Sequence, residues 1–431
     1  MLSPSIAARP GKFDAWQAAR LLARRELSAV DLARACLERV AQRDCEVQAF
    51  AHVDPDAVLA QARARAVDAG PLHSLLLGVK DLFDTVDAPT AYGSPIYAGH
   101  RPAADAAAVA LCRAAGALVL GKTVTTEFTY FHRGATRNPR HPDHTPGGSS
   151  SGSAAAVADR RLPLALDTQT AGSSIRPAAY CGVVAYKPSR GRVPRAGVKS
   201  LSETLDAIGG FGRSVRDVAL PGAVLAGNAR LLDLPALGAA PRIGLCRTPR
   251  WPMADDDTAR AWDQDHTTLA PQAAALTDVE PPADLPDLVA LQKAVMAFEM
   301  SRALSHDRLV HRPRPSGRLQ AFLDEGAAIP GTEHPAHLAA TAAAQRRVDT
   351  LFDEIEVLLA PSATGEAPAG LAATGDPLFC RGWTLLGLPC IHLPFTQGRL
   401  GLLAGLQVVG RWGQDHPLLA AAQWTHERLI R

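Results

Sequence analysis

The sequence has few of the features that mark a secreted, membrane-bound or metal-binding protein. No stretch reaches the roughly 18 uncharged apolar residues of a transmembrane helix, and residues 1–16 lack the apolar segment of a signal peptide. The seven cysteines are odd in number and scattered, without a CxxC pair or a Cys/His cluster of zinc spacing. These absences predict a soluble, cytoplasmic protein with free thiols and no metal.

The chain also lacks an excess of charge of either sign. Its 45 lysines and arginines are balanced by 43 aspartates and glutamates, so a net charge of +2 gives no electrostatic reason to expect a nucleic-acid or membrane partner. With 431 residues, of which 47% are hydrophobic, the chain can bury a large core in one large domain or in two. We therefore expect a small-molecule ligand.

The apolar pattern changes along the chain from helical to mixed. Over residues 14–69 the apolar residues recur at helical spacing, and Ser28 is placed to cap a helix. Short apolar runs such as ALVLGK then alternate with Ala-rich helical patterns, which is the order of an α/β layered fold. LGLPCIHLPF and LLAGLQVVG predict two later strands, whereas residues 223–344 have poor periodicity and predict little.

Lys80 ends the apolar run LLLGVK, where a strand would bury its side chain. A structural lysine there would be snorkelling or paired with Asp81 or Asp84. A catalytic base poised near pH 7 would need its pKa, ordinarily about 10.4, lowered at a cost of roughly 4 to 5 kcal/mol of desolvation or like-charge strain. Both interpretations stay open on this segment alone.

Glycine and serine concentrate in GGSSSGS, residues 147–153, directly before the helix-forming AAAVADRR. A phosphate-binding loop would need a GKS or GKT ending and a preceding strand, and a flexible linker would not run straight into a helix. Residues 148–152 also match the nucleophile elbow GxSxG, with Ser150 as nucleophile. The elbow needs a strand before it, and the segment TRNPRHPDHTP is polar and broken by proline.

The segment LPLALDTQTAGSSIRPAAYCG begins as an apolar strand over residues 162–166 and turns at Pro177 into a short Ala-rich stretch. The small residues Ala171 and Gly172 free the backbone N–H groups before Ser173 to point at an incoming carbonyl oxygen, as in an oxyanion hole. An ordinary strand-to-helix turn with serine caps explains the same residues equally well.

Together these segments resemble the amidase signature family. A lysine after an apolar strand, GGSS before a helix, and a strand running into GS, IRPAA, CG and KP follow that family's order, and VLLAPSA and GLQVVG are similar to its C-terminal strands. The resemblance implies an α/β fold with a mixed β-sheet core covered by helices on both faces. It implies one domain over residues 1–431, with a catalytic core at 70–220, a variable cap or pocket wall at 225–345, and C-terminal strands and a helix at 346–431.

The same resemblance implies a Ser-Ser-Lys triad. Ser173 would attack the amide carbon, Ser149 would take its proton, and Lys80 would accept that proton and return it to the leaving amine. Backbone amides from Thr170 to Ser173 would bind the oxyanion, and Ser150 would support the relay by hydrogen bonding. Water would then hydrolyse the acyl-enzyme, with no metal or organic cofactor.

The chain departs from the family pattern beside the triad. AGSSIRP replaces a GGS followed directly by Ile-Arg, so the nucleophile could be counted as Ser173 or Ser174; the flanking TQT and PAAYCG fit without a gap only for Ser173. Gln169 stands where many members carry aspartate, and Ser151 where many carry glycine. Both positions could tune the triad.

The implied function is hydrolysis of a small linear amide, other than a peptide bond, to a carboxylate and ammonia or an amine. The family also contains the glutaminase subunit of a glutamyl-tRNA amidotransferase and hydrolases of urea-like substrates such as allophanate or carboxybiuret. A non-enzymatic binding protein is disfavoured because all three triad residues are intact. A homodimer is compatible with the family.

The substrate's acyl group is open at this stage. In relatives, the segment containing Phe128, Tyr130, Phe131, His132 and Arg133 approaches the site, which favours an aromatic or anionic acyl group. Ordinary core packing would explain these residues equally well.

Overall fold

The computed structural model describes residues 13–64, 70–130, 134–235, 239–311 and 315–429, and these form a single eleven-stranded mixed sheet with helices around it. The strands are β1 (Phe50–Val53), β2 (Leu76–Lys80), β3 (Leu118–Thr123), β4 (Leu164–Gln169), β5 (Val184–Lys187), β6 (Ala207–Gly212), β7 (Arg242–Leu245), β8 (Ala275–Asp278), β9 (Val357–Pro361), β10 (Cys390–Gln397) and β11 (Leu403–Gly410). Their order across the sheet is β1-β3-β2-β4-β6-β5-β10-β11-β9-β7-β8.

The described ranges contain fourteen α-helices. They are α1 (Ala15–Ala23), α2 (Ala29–Val47), α3 (Pro55–Ala64), α4 (Ala107–Ala114), α5 (Ser151–Ala158), α6 (Ile175–Cys181), α7 (Val215–Leu225), α8 (Asp256–Leu269), α9 (Leu288–Ala303), α10 (Ser305–Val310), α11 (Gly317–Ala328), α12 (His334–Asp349), α13 (Leu378–Leu385) and α14 (Asp415–Leu429).

Alternate residues of the strands feed two hydrophobic cores, one on each face of the sheet. On β9, Val357 and Leu359 pack with Trp262 of α8 in one core, whereas Leu358 packs with Trp383 of α13 in the other. This alternation follows from the two-residue period of a strand. The predicted α/β fold, a mixed sheet covered by helices on both faces, is confirmed.

The parallel strands β3, β2 and β4 place the candidate site. β2 lies between the other two, with Val79 opposite Lys122 on β3 and Leu166 on β4. Because parallel strands end at the same edge of a sheet, Lys80 at the end of β2 and Gln169 at the end of β4 come to one edge. Ligands of open α/β sheets bind at this carboxyl edge.

Two expectations from the sequence need correction or completion. The helical layer expected over residues 14–69 is interrupted by the edge strand β1, whose antiparallel partner β3 lies far away in the sequence. The cap at Ser28 is confirmed, since its side chain accepts the Asp31 N–H at 3.0 Å. Residues 225–345, which carried no motif, contain β7 and β8 at one edge of the sheet and the helices α8 to α12.

Candidate active site

Lys80 is completely buried, and its ammonium group contacts hydroxyl groups. Nζ lies 2.8 Å from Ser149 Oγ and 2.7 Å from Thr168 Oγ1. Burial lowers the pKa of Lys80 well below that of an ordinary lysine, and the negative charges of Asp167 and Asp206 oppose part of this effect. The neutral amine is therefore accessible nearer to neutral pH than in a solvent-exposed lysine.

The loop before α5 brings Ser149 to Lys80. Gly147 has a φ of +78°, and a Cβ built there would lie 2.8 Å from Pro177 Cα, so both the backbone and the space favour glycine. The peptide bond between Gly148 and Ser149 is cis. Ser149 is 2% exposed, and its hydroxyl lies 2.8 Å from Lys80 Nζ.

The serines that follow in the loop contact the backbone of neighbouring strands. Ser150 Oγ donates to the carbonyl oxygen of Thr168 at 3.4 Å, and Ser151 Oγ donates to that of Val124 at 3.4 Å. Ser150 thus reaches the same residue whose hydroxyl contacts Lys80. Ser151, one of the two departures from the family pattern, anchors the start of α5.

Ser173 follows β4 in the turn that leads into α6. Ser173 is 8% exposed and lines the same pocket as Ser149, whereas Ser174 is completely buried. The backbone N–H groups of Ala171, Gly172 and Ser173 have no hydrogen-bond acceptor among the described residues. These amides therefore remain available for a ligand oxygen beside Ser173.

Gln169 cross-links this turn through both ends of its side-chain amide. Its Oε1 accepts the N–H groups of Ser174 and Ile175 at 2.9 and 3.1 Å. Its Nε2 donates to Thr384 Oγ1 on α13 at 2.9 Å, and that hydroxyl lies 2.8 Å from the carbonyl oxygen of Ala171. Gln169, which stands where many family members carry aspartate, thus connects the turn to α13.

A second set of contacts holds Thr170 from the opposite direction. Gln292 of α9 donates through Nε2 to the carbonyl oxygen of Thr170 at 3.0 Å, and the guanidinium of Arg381 donates to Gln292 Oε1. The Thr170 hydroxyl donates to Asp206 at 2.7 Å. The carbonyl groups of this turn are therefore held in place, which fixes the direction of its amides.

The space between these elements, counted together with the solvent at its open mouth, is about 410 Å³. Its described lining residues are Thr126, Thr129, Tyr130, Ser149, Thr170, Ala171, Ser173, Arg176, Leu201, Met296, Met300, Thr374 and Pro377. Hydroxyl groups and apolar side chains dominate this wall. The segment without sequence landmarks contributes Met296 and Met300 from α9.

The structure brings together the residues that the sequence singled out. Lys80 contacts Ser149 directly, and Ser149 and Ser173 line one pocket. Arg176 and Gln292 were missed as site residues. Arg176 stands in the quoted motif IRPAA, which could have drawn attention to it, whereas Gln292 lies in a region with no sequence signal.

The aromatic segment proposed to approach the substrate is only partly described. Tyr130 lines the pocket and stacks on Phe322 with ring centroids 4.5 Å apart, whereas Phe128 is fully buried in the core. Phe131, His132 and Arg133 lie outside the described residues. For Phe128, core packing is therefore the better explanation.

The described ranges contain no group of three or more His, Cys, Asp or Glu side chains that could hold a metal ion. None of the helices in those ranges is long and apolar enough to cross a membrane. All seven cysteines are free thiols, and six of them are buried.

The fold and the site define an α/β protein in which two serines and a buried lysine meet at the carboxyl edge of parallel strands. The sequence profile of the Amidase family matches residues 31–419, and the chain belongs to this family of amidase signature enzymes. It is therefore a hydrolase of carbon-nitrogen bonds.

Individual relatives are similar over nearly the whole chain. A glutamyl-tRNA(Gln) amidotransferase subunit from Thermus thermophilus is 35% identical over 95% of this chain and 96% of its own. The native peptide amidase of Stenotrophomonas maltophilia superposes with a TM-score of 0.81 at 27% identity, covering 97% of each chain.

A further similar structure comes from a vestigial protein complex with a bound inhibitor. That complex reveals the evolutionary origins of an s-triazine catabolic enzyme. Its chain superposes with a TM-score of 0.88 at 25% identity, covering 97% of this chain and all of that one (100%).

Proposed function

We propose that this enzyme hydrolyses the amide bond of a small substrate to a carboxylate and ammonia or an amine, with Ser173 as nucleophile. The observation that carries the proposal is the 2.8 Å contact between Lys80 Nζ and Ser149 Oγ, at a pocket that Ser149 and Ser173 both line. A buried lysine with a lowered pKa can act as a base, which a solvated lysine at neutral pH cannot.

The proton path follows from the order of these groups. Neutral Lys80 accepts the proton of Ser149 while Ser149 takes the proton of Ser173, whose Oγ forms a bond to the carbonyl carbon. The lysine then returns the proton through Ser149 to the leaving nitrogen as the C–N bond breaks. Water then attacks the acyl ester while the relay takes its proton; the bond to Ser173 Oγ breaks, the relay returns the proton to Ser173, and the carboxylate is released.

The turn after β4 supplies the electrostatic part of the reaction. The backbone amides of Thr170 to Ser173 stabilise the negative charge that develops on the carbonyl oxygen, and Ser150 supports the relay through Thr168. The loss of one such donor costs roughly two to three powers of ten in rate. The contacts of Gln169 and Gln292 with this turn keep the amides aligned before the substrate arrives.

The test is release of ammonia or amine from a panel of amides, ureides and glutamine. We expect the wild type to turn over members of the panel, Ser173→Ala to abolish turnover, and Ser174→Ala to retain most of it because Ser174 does not line the pocket. If Ser174→Ala is the inactive variant and Ser173→Ala is active, the assignment of the nucleophile is wrong.

The family resemblance implies two alternative functions. The first is a glutaminase role within a larger enzyme, which the similarity to the Thermus thermophilus amidotransferase subunit supports. The second is hydrolysis of a urea-like substrate by the same triad. Glutamine turnover that appears only when partner subunits are added would support the first. Turnover of ureides in preference to simple amides would support the second.

A further inference from the structure

Asp167 is a buried carboxylic acid that lies next to Lys80 in the sheet. The two residues directly follow Val79 and Leu166, the last pair at which β2 and β4 are in register. On its other side Asp167 is paired with Gly209 of β6, where a Cβ would lie only 2.8 Å from Asp167 Oδ1. The carboxyl group therefore occupies space that a side chain at Gly209 would fill.

This carboxyl group has few groups around it that could balance a charge. Asp167 is 0% exposed, and neither carboxylate oxygen has a hydrogen bond of ordinary geometry among the described residues. Burial raises the pKa of Asp167. The nearby Ser174 hydroxyl, the positive charge of Lys80 and the Gly209 N–H oppose part of this effect. Asp167 therefore loses its proton more readily beside a charged lysine than beside a neutral one.

The other charged groups around this pair are held by hydrogen bonds. Asp206, the second carboxylate that acts on Lys80, accepts three of them, one from the Thr170 hydroxyl. Lys187 of β5, on the far side of β6, donates to two backbone carbonyl oxygens. Asp167 has no comparable set of partners in the described part of the chain, so its charge state depends on the charges around it.

Deepening the proposed function, in which Lys80 is the base, we propose that the Asp167 carboxyl group sets the proton affinity of Lys80 and that the two residues titrate as one buried pair. A carboxylate stabilises the ammonium form of a neighbouring lysine, and loss of the ammonium charge in turn favours the neutral carboxylic acid. Asp167 is not among the described residues of the pocket wall, so it acts through Lys80 as a positioning residue.

The first experiment measures Lys80 directly by NMR. The sequence has six lysines, so protein labelled with ¹³C at lysine Cε gives few signals, and the Lys80 signal is the one missing from Lys80→Met. In Asp167→Asn we expect the titration midpoint of Lys80 to move to lower pH by at least ~0.5 pH unit, because the carboxylate that favours the ammonium form is absent. An unchanged midpoint, or a move to higher pH, would overturn the proposal.

Asp265→Asn is the matched control for this titration. Asp265 of α8 is also a buried carboxylic acid, 2% exposed, and its Oδ2 has no hydrogen-bond partner among the described residues. It is not one of the carboxylates that act on Lys80, so the midpoint should stay in place. An equal move in Asp265→Asn would show a general effect of buried charge and remove the support for Asp167. If Asp167→Asn does not fold, Asp167→Ala removes the same carboxyl group and takes its place.

The second experiment measures kcat/KM against pH on an amide that the panel identifies. In Asp167→Asn the acid limb should move to lower pH together with the NMR midpoint, while the plateau changes by less than ~10-fold. A loss of activity by the same factor at every pH, with the NMR midpoint unmoved, would show that Asp167 only supports the fold. If the NMR midpoint moves but the acid limb does not, or no amide is hydrolysed, the buried pair is supported and the proposed reaction alone fails.

Discussion

Two buried lysines on neighbouring strands have different surroundings. Lys122 lies 3.4 Å from a carboxylate oxygen of Asp81 and donates to the carbonyl of Phe83 and to the Thr90 hydroxyl. Lys80 has hydroxyl contacts from Ser149 and Thr168 instead. Burial lowers the pKa of both lysines, but only Lys122 has a carboxylate within 3.4 Å to stabilise its charged form, so we expect the two residues to have different roles.

The pH dependence of kcat/KM should report Lys80. Below the pKa of Lys80 the amine is protonated and cannot accept the Ser149 proton, so activity is lost as the pH falls and reaches a plateau above that pKa. Because burial lowers the pKa, half of the plateau should be reached well below pH 10.5, the ordinary value for lysine. Lys80→Met should reduce kcat/KM by at least ~10³-fold on the plateau and remove the acid limb of the profile.

Lys122→Met is the matched control for this profile. It leaves Asp81 buried without its ion pair, which should cost about 3 to 5 kcal/mol of folding free energy and lower Tm. The acid limb of the pH profile should nevertheless remain. If the acid limb is lost in Lys122→Met and kept in Lys80→Met, the group that titrates is Lys122 and the role given to Lys80 is wrong.

Gln169→Glu should weaken catalysis without disrupting the pocket. A glutamate can still accept the N–H groups of Ser174 and Ile175, but it cannot donate to Thr384 Oγ1, so that hydroxyl turns away from the carbonyl of Ala171. We expect kcat to fall roughly 10- to 100-fold with a smaller change in KM, because the amides of this turn act on the transition state.

Thr384 variants provide the controls for this bridge. Thr384→Ser keeps a hydroxyl at the contact with Ala171 and should behave like the wild type, whereas Thr384→Val should resemble Gln169→Glu. Full activity in both Gln169→Glu and Thr384→Val would show that the bridge does not position the turn.

At the level of elements, α13 packs directly against the turn after β4. A Cβ built on Gly172 would lie 2.6 Å from Pro377 Cβ and 3.0 Å from Cys380 Cβ. Gly172→Ala should therefore push the turn away from α13 and lower kcat at least ten-fold, with a stability loss of about 1 to 3 kcal/mol. Gly331→Ala, where a Cβ meets no atom within 4 Å, should change neither activity nor Tm.

The contact between α9 and α11 should control the far wall of the pocket. A Cβ built on Gly326 of α11 overlaps the carbonyl oxygen of Ala297 on α9, the helix that carries Met296 and Met300. Gly326→Ala should separate the helices, lower Tm by several degrees and raise KM more than it lowers kcat. Gly317→Ala in the same helix is the control, and an unchanged Tm in Gly326→Ala would contradict this packing.

Local pattern predicted the elements that carry the chemistry and missed those that depend on distant partners. β2, β3 and β4 are apolar runs with turn residues after them, so their existence and burial follow from composition. β1 and β7 are four-residue strands whose partners β3 and β9 lie far away in the sequence, which no local pattern reveals. β8 is equally short and pairs only with β7, so its place in the sheet depends on that of β7. The role of Gln292 could not be predicted for the same reason, because only the packing of α9 brings it to Thr170.

At the scale of the whole molecule, the two C-terminal strands lie in the middle of the sheet. β10 and β11, close to the C-terminus, lie between β5 and β9, and β10 pairs antiparallel with β5. The strands β7 and β8 join the sheet only through β9. Removal of β9, β10 and β11 therefore leaves β1 to β6 without a connection to β7 and β8.

This topology predicts that the chain folds as one unit even though its sequence divides into a core, a middle segment and C-terminal strands. Residues 1–345 expressed alone would expose β5 and β7 as unpaired edges and uncover the apolar residues that pack on β9 to β11. We expect this fragment to be insoluble or to lack a cooperative thermal transition by circular dichroism. Co-expression with residues 346–431 should restore a soluble, active complex, because the missing strands can then insert between β5 and β7. A soluble 1–345 fragment that melts cooperatively would instead show that the first six strands form an independent domain.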